Sequence, residues 1–122
     1  MLSFPLSGIG LNVNQELFDP SLPNPVSVKQ LSGKERVLEE ELQILLACLD
    51  RRYDMLRSGN NEALDRDYNE SLFGYNQWRK YCSQEKPFEG MTRGVDEFGR
   101  LILTTRSGEA VFIHGEVSFL ED

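Results

Sequence analysis

The sequence predicts an α+β fold: one glycine-interrupted strand, a pair of amphipathic helices and a small SH3-like β-barrel at the C-terminal end. Three observations carry that expectation. Apolar residues alternate over residues 5–14, recur at three- and four-residue intervals over residues 28–72, and alternate again in short runs after Gly74. A period of two belongs to strands and a period of 3.6 to helices, so the changes of period divide the chain. Its 122 residues suffice for one modest domain or two very small ones, and the 39% hydrophobic content is that of an ordinary globular protein.

In the first strand Leu6, Ile9, Leu11 and Val13 are the apolar members, with Gly8 and Gly10 between them. Three prolines within Pro20-Ser21-Leu22-Pro23-Asn24-Pro25 forbid a ladder and predict a fixed surface loop. Val28 and Leu31 suggest a single short turn of helix. Ser32-Gly33-Lys34-Glu35 then reads as a capping box, a serine and a glutamate three residues on satisfying the first free N–H groups of a long helix. Behind it Leu38, Leu42, Leu45, Leu49, Tyr53 and Leu56 form one apolar face, with Ser58-Gly59 as the C-cap. Glu39, Glu40 and Glu41 complement the dipole at its start, and Arg51 and Arg52 do so towards its end. Asn60-Asn61 begins a second helix, where Leu64, Tyr68 and Leu72 repeat until Gly74 stops it. Two amphipathic helices joined by a short loop predict an αα-hairpin.

Beyond Gly74, Tyr81, Phe88, Leu101, Leu103, Val111, Ile113, Val117 and Phe119 fall in alternating runs. Lys86-Pro87, Asp96-Glu97-Phe98-Gly99 and Arg106-Ser107-Gly108 supply the turns. Four or five short strands in this space predict the barrel and place a domain boundary between residues 75 and 76. The acid excess sits on the helical side, with 7 basic against 12 acidic residues up to residue 75 and 6 against 8 after it.

A net charge of −7 argues against general nucleic-acid binding, which needs surplus Lys and Arg. A single nucleotide remains compatible, since a few backbone N–H groups and one cation suffice. No apolar run approaches the ~18 residues of a membrane span, and Met1-Leu2-Ser3-Phe4 lacks the features of a signal peptide, so a cytoplasmic location is expected. Cys48 and Cys82 form no CxxC and are expected as buried or half-buried thiols. The one histidine, His114, has only Glu116 as a ligand-like neighbour, so no metal site is expected. No nucleophile–base pair is visible either, and no catalytic residue is assigned.

Three segments carry candidate chemistry. In Gly8-Ile9-Gly10-Leu11-Asn12-Val13-Asn14 the two glycines bare the backbone on one face, and Asn12 on that face offers a donor and an acceptor suited to a nucleobase edge. The other reading is a strand whose glycines let a helix pack against it. In Gly115-Glu116-Val117-Ser118 the glycine suggests a bulge, from which Glu116 either orients a cation or ligand loop or stands as a solvated carboxylate on an edge strand. In Phe88-Glu89-Gly90-Met91-Thr92-Arg93-Gly94-Val95-Asp96 the glycines bend a barrel strand, and Arg93 suits a phosphate or carboxylate. Trp78 and Tyr81 fit either a recognition patch or core packing.

Taken in order, these motifs, with Leu22-Pro23-Asn24-Pro25-Val26-Ser27-Val28 and Asp96-Glu97-Phe98-Gly99-Arg100-Leu101 between them, resemble the C-terminal half of biotin–protein ligases over residues 8–120. The resemblance implies a residual strand and helical hairpin from the ligase catalytic domain over residues 1–75, then an SH3-like C-terminal barrel over residues 76–122. It implies a parent activity that joins biotin and ATP, with Mg²⁺, into biotinyl-5′-adenylate and passes biotin to a lysine of a biotin carboxyl carrier domain. By the same resemblance Gly8, Gly10 and Asn12 border the adenylate, and Glu116 supports the nucleotide or the closed arrangement of the domains.

The family's Arg/Gly-rich loop and the catalytic lysine of its Lys-Trp-Pro-Asn-Asp stretch have no counterpart here: the lysines are Lys29, Lys34, Lys80 and Lys86, none in such a setting. Residues 1–7, with Pro5 among them, also depart from the continuous apolar strand expected before the glycines. The chain therefore reads as a truncated open reading frame or a deliberate fragment, with no biotin, ATP or Mg²⁺ expected to bind it alone. The strand over residues 8–14, deprived of its sheet, is expected to pair with a second copy or to lie against the helices. The competing reading is a non-catalytic SH3-like protein-interaction module.

Overall fold

A computed structural model describes residues 6–120; the expectations for residues 1–5 lie outside it. The fold is α+β, with three helices preceding one antiparallel five-stranded sheet. It separates into two compact units, Met1–Tyr53 and Asp54–Asp122.

In the first unit residues 6–14 form no ladder, which corrects the expected strand. A strand needs a neighbour for its N–H and C=O groups. Here the Asn12 and Val13 carbonyls are taken by a helix start instead, accepting from Val28 N (2.9 Å) and Lys29 N (2.8 Å). Those N–H groups are among the first of α1 (Val28–Ser32), which have no partner within the helix itself. The capping box also differs from expectation. Ser27 is the N-cap of α1: its Oγ accepts from Gln30 N (3.2 Å), while Ser27 N donates to Gln30 Oε1 (3.0 Å). Ser32 ends that helix and Gly33, at φ 70°, is its left-handed C-cap. Asn14 acts as a brace across the unit, its amide donating to Arg36 O (2.7 Å) and accepting from Arg36 N (2.9 Å). The turn-rich loop is pinned by Asp19, whose carboxylate accepts from Ser21 N and Oγ; those bonds hold its pKa below the ordinary aspartate value.

α2 (Leu38–Arg57) begins with the acidic turn and ends as expected at Ser58-Gly59. Asn60 N bonds to Met55 O (3.0 Å) and Gly59 N to Leu56 O (3.1 Å), with Gly59 at φ 76°. This is the Schellman closure that a glycine after the last turn permits. α2 holds no fully buried residue, Leu45 and Met55 being half-buried, and Cys48 on it is exposed rather than buried. α3 (Asn61–Ser71) follows after the short turn at residues 58–60.

The second unit owes its core to the sheet: β1 (Trp78–Ser83), β2 (Lys86–Val95), β3 (Leu101–Thr105), β4 (Gly108–Phe112) and β5 (Ser118–Phe119), in the order β4-β3-β2-β1-β5. Tyr81 and Leu103 are fully buried. Tyr81 packs beside Phe88 and Phe119, its partners in register on either side, and Phe88 in turn lies beside Phe112. The Tyr81 hydroxyl is not orphaned by burial, because it lies 2.7 Å from the buried Thr92 Oγ1. β4 and β5 form no ladder with each other, so the sheet stays open. β5, at only two residues, is too short to bridge that gap. Lys86 and Pro87 already belong to β2, and the β1–β2 turn is Gln84-Glu85 instead, at φ 50° and 60°. Positive φ at both central residues is the twist that a two-residue hairpin needs.

Asp96 organises the β2–β3 turn. Its Oδ1 accepts from Phe98 N and Arg100 N (both 2.9 Å), and its Oδ2 from Arg100 Nε (2.6 Å). Burial pushes its pKa up, but these bonds and the Arg100 charge outweigh it and leave the pKa lowered. A carboxylate with a depressed folded-state pKa stabilises the fold above its unfolded value and loses that contribution as pH falls through the folded value. Asp96→Asn is therefore expected to flatten the acid limb of a stability–pH profile from urea melts. An unchanged acid limb would contradict this role.

Candidate functional site

The loop between β4 and β5 is closed by bonds between Ile113 and Glu116. Glu116 N bonds back to Ile113 O (3.2 Å), and Gly115 at φ 87° occupies the turn position that demands a left-handed residue. Gly115 thus makes a turn rather than the expected bulge. Within that turn the Glu116 Oε2 accepts from Ile113 N (2.8 Å), so the carboxylate braces its own loop. It borders a cleft of about 410 Å³ that Ser83, Gln84, Val111 and Phe112 also line. This cleft occupies the gap that the open sheet leaves between β4 and the β1–β2 turn. A fixed carboxylate here can accept from an amino or hydroxyl group, or attract a hydrated cation. On the other side of the loop, His114 joins Tyr68, Leu72, Val95 and Leu101 around a more apolar cleft of about 210 Å³.

The other candidates lie in the first unit. Gly8 and Gly10 are exposed, and a Cβ on either would meet nothing within 4 Å. No helix packs on them, so the packing explanation for these glycines does not apply among the described residues. Asn12 is exposed, its amide donating to Val26 O over a long 3.4 Å. Asn14, which ties that strip to Arg36, and Ser27, which caps α1, carry no candidate role in the sequence reading. Ser27 had a legible signal, since Ser-x-x-Gln spells a capping box as well as Ser-x-x-Glu does. The Asn14 brace spans 22 residues and leaves no local signature.

The Arg93 guanidinium donates to the Asn76 side-chain carbonyl (2.7 Å). Tyr81 is core, whereas Trp78 stays partly exposed with the Arg106 guanidinium 4.1 Å above its ring and Glu89 paired to Arg106 at 3.2 Å. Among the described residues no group of three or more His, Cys, Asp or Glu is placed to hold a metal ion. Nor is any described helix long and apolar enough to cross a membrane.

Comparison with known proteins gives this geometry a lineage. Residues 82–120 match the family model described as "Biotin protein ligase C terminal domain". Among solved structures, the apo biotin protein ligase from Aquifex aeolicus aligns with a TM-score of 0.67 at 17% identity, covering 91% of this chain and 50% of that one. The Aquifex aeolicus ligase in complex with biotin and ATP aligns with a TM-score of 0.68 at 17% identity, over 91% of this chain and 48% of that one. The chain thus shares its fold with about half the length of those enzymes. No curated protein sequence matches it. Residues 82–120 are thus similar to the C-terminal domain of the biotin protein ligases, and the fold is similar to part of the Aquifex aeolicus ligase.

Proposed function

We propose that this chain is the C-terminal portion of a biotin–protein ligase: a piece of the catalytic domain over residues 1–75 and an SH3-like closing domain over residues 76–122. The match over residues 82–120, within a fold alignment reaching 91% of the chain, carries this reading. The strand order β4-β3-β2-β1-β5 supports the SH3-like assignment, with the gap between β4 and β5 as the barrel's open seam. In the complete cytoplasmic enzyme, biotin and ATP with Mg²⁺ give biotinyl-5′-adenylate, and biotin then passes to a lysine of a carrier domain. Gly8, Gly10 and Asn12 would lie on the adenylate side, where exposed backbone and a loosely held amide are available to a ligand. Glu116, braced by its own turn, would support the nucleotide or hold the closed arrangement.

By itself the chain is inactive in this reading. Stabilising the charge that develops on a transferring adenylyl group takes several preorganised cationic and N–H contacts, each worth about 3 kcal/mol. Those belong to the Arg/Gly-rich loop and the catalytic lysine, and none of Lys29, Lys34, Lys80 or Lys86 stands in a matching motif. Losing three such contacts slows a reaction by roughly six powers of ten. Titration calorimetry with biotin plus ATP, and with a non-hydrolysable biotinyl-adenylate analogue, is expected to show no binding at micromolar concentrations. Sub-micromolar affinity for the analogue would overturn the inactivity.

A further inference from the structure

Strand β2 outruns its neighbour in the sheet. β1 pairs with it only as far as Trp78 opposite Met91, while β2 continues to Val95. On the β1 side, residues 92–95 would therefore carry unpaired N–H and C=O groups, which a folded chain seldom leaves without a partner. Two of these groups are met from the segment that precedes the sheet. Asn76 N donates to Thr92 O (2.9 Å), and Val95 N donates to Asn69 Oδ1 (3.2 Å) near the end of α3. Tyr75 adds a parallel bridge to Thr92. The end of α3 and the turn after it thus complete β2 where β1 stops.

Side chains anchor the same segment a second time. Phe73 lies edge-on to Phe119 of β5, with ring centroids 5.0 Å apart, and the Arg79 guanidinium of β1 stands 4.4 Å from the Phe73 centroid. Gly74, at φ 70°, lets the Arg79 stem cross the turn, since a Cβ there would stand 2.7 Å from Arg79 Cδ. Asn76 takes φ 55°, a left-handed conformation that asparagine tolerates better than most residues, and its Oδ1 accepts from the Arg93 guanidinium (2.7 Å).

We infer that these contacts form a clasp that makes α3 and residues 72–77 part of the sheet's own cooperative unit, so that α3 opens only when the sheet opens. The dependence runs both ways. α3 has 11 residues and none of them is fully buried, a length at which a helix is marginal in water without docking. With the clasp open it melts, and the end of β2 in turn loses the partners of Thr92 O and Val95 N. The boundary between residues 75 and 76 follows the likeness to the ligases, whereas the cooperative boundary lies ahead of α3 and does not depend on a ligase role. Any movement of the sheet unit then carries α3 with it.

Amide hydrogen exchange of the full chain, followed by NMR in rising urea below the unfolding transition, tests this. The amides of residues 65–71 are expected to exchange with the same urea dependence as those of β2 and β3. That comparison needs no variant. Asn69→Ala is expected to speed exchange in α3 and in β2 and β3 by one common factor, on the order of tenfold. Arg79→Met, which removes the charge beside Phe73 but keeps an apolar stem, is expected to act on both elements alike and by a smaller factor. A weaker urea dependence in α3 than in the sheet overturns the inference. So does a change of rate confined to α3 in either variant, which would make α3 a separately opening helix.

Discussion

Replacing Leu103 by alanine is expected to destabilise the sheet unit by about 2–5 kcal/mol, enough to unfold a large fraction of it at room temperature. Leu103 is fully buried at the middle of β3, paired in register with Thr92 on one side and Ala110 on the other. Its Cδ1 lies 3.5 Å from where a Cβ on Gly90 would stand, so it fills the space that the glycine leaves over β2. The unit has roughly 70 residues, and domains of that size hold only about 3–10 kcal/mol in all. Among the described residues Tyr81 is the one other fully buried apolar side chain, so little remains to collapse into the cavity. Tyr81→Phe is the informative contrast: it keeps the ring but leaves the buried Thr92 hydroxyl without its 2.7 Å partner, a loss of about 1–2 kcal/mol. Urea melts followed by Trp78 fluorescence would rank the two. Leu103→Ala costing no more than Tyr81→Phe would show that the core is not organised around Leu103.

Much of this unit was legible in the sequence because its forces are local. Leu101 and Leu103 alternate as the strand requires, and Asp96-Glu97-Phe98-Gly99 spells a turn whose geometry follows from its own side chain, whereas Val111 and Ile113 are exposed and β4 turns Ala110 and Phe112 inward instead. The helix end at Gly59 was equally legible, since a left-handed residue after an apolar periodicity has few other meanings. The β1–β2 turn was misplaced by two residues, because Gln84 and Glu85 take positive φ without belonging to the residue types that favour it.

The first unit was harder to read for a physical reason. Leu6, Ile9, Leu11 and Val13 alternate like a strand, but alternation states only what a segment would bury, and it buries nothing without a neighbouring ladder. The backbone acceptors of Asn12 and Val13 instead complete the start of α1, a pairing between segments fifteen or more residues apart. The candidate site divides in the same way. Gly115-Glu116 was visible as a motif, and its turn explains why those residue types stand together. Nothing local could show that Glu116 borders a cleft with Ser83 and Gln84, since only the sheet order brings the β1–β2 turn there.

Gly94 gives the second large effect, and it separates two causes that a single substitution would merge. It stands at the irregularity in β2 where the register with β3 shifts between Thr92 and Gly94, at φ 129°. An L-residue is strained there, by about 1–2 kcal/mol on general grounds. A Cβ would also stand 2.8 Å from the Asn69 Oδ1, which accepts from Val95 N at 3.2 Å and ties α3 to the sheet. Moving the Asn69 side chain aside would break that bond and leave a part-buried N–H unsatisfied, at a further cost of about 1–3 kcal/mol. Gly94→Ala is thus expected to destabilise the unit by about 2–5 kcal/mol in the native background. In an Asn69→Ala background the clash and the bond are both already gone, so the same substitution should cost only the backbone strain. The difference between the two measurements is the coupling of α3 to β2 through this one side chain. Equal costs in both backgrounds would mean that the backbone conformation alone demands glycine here, and that Asn69 neither crowds position 94 nor locks the helix to the sheet.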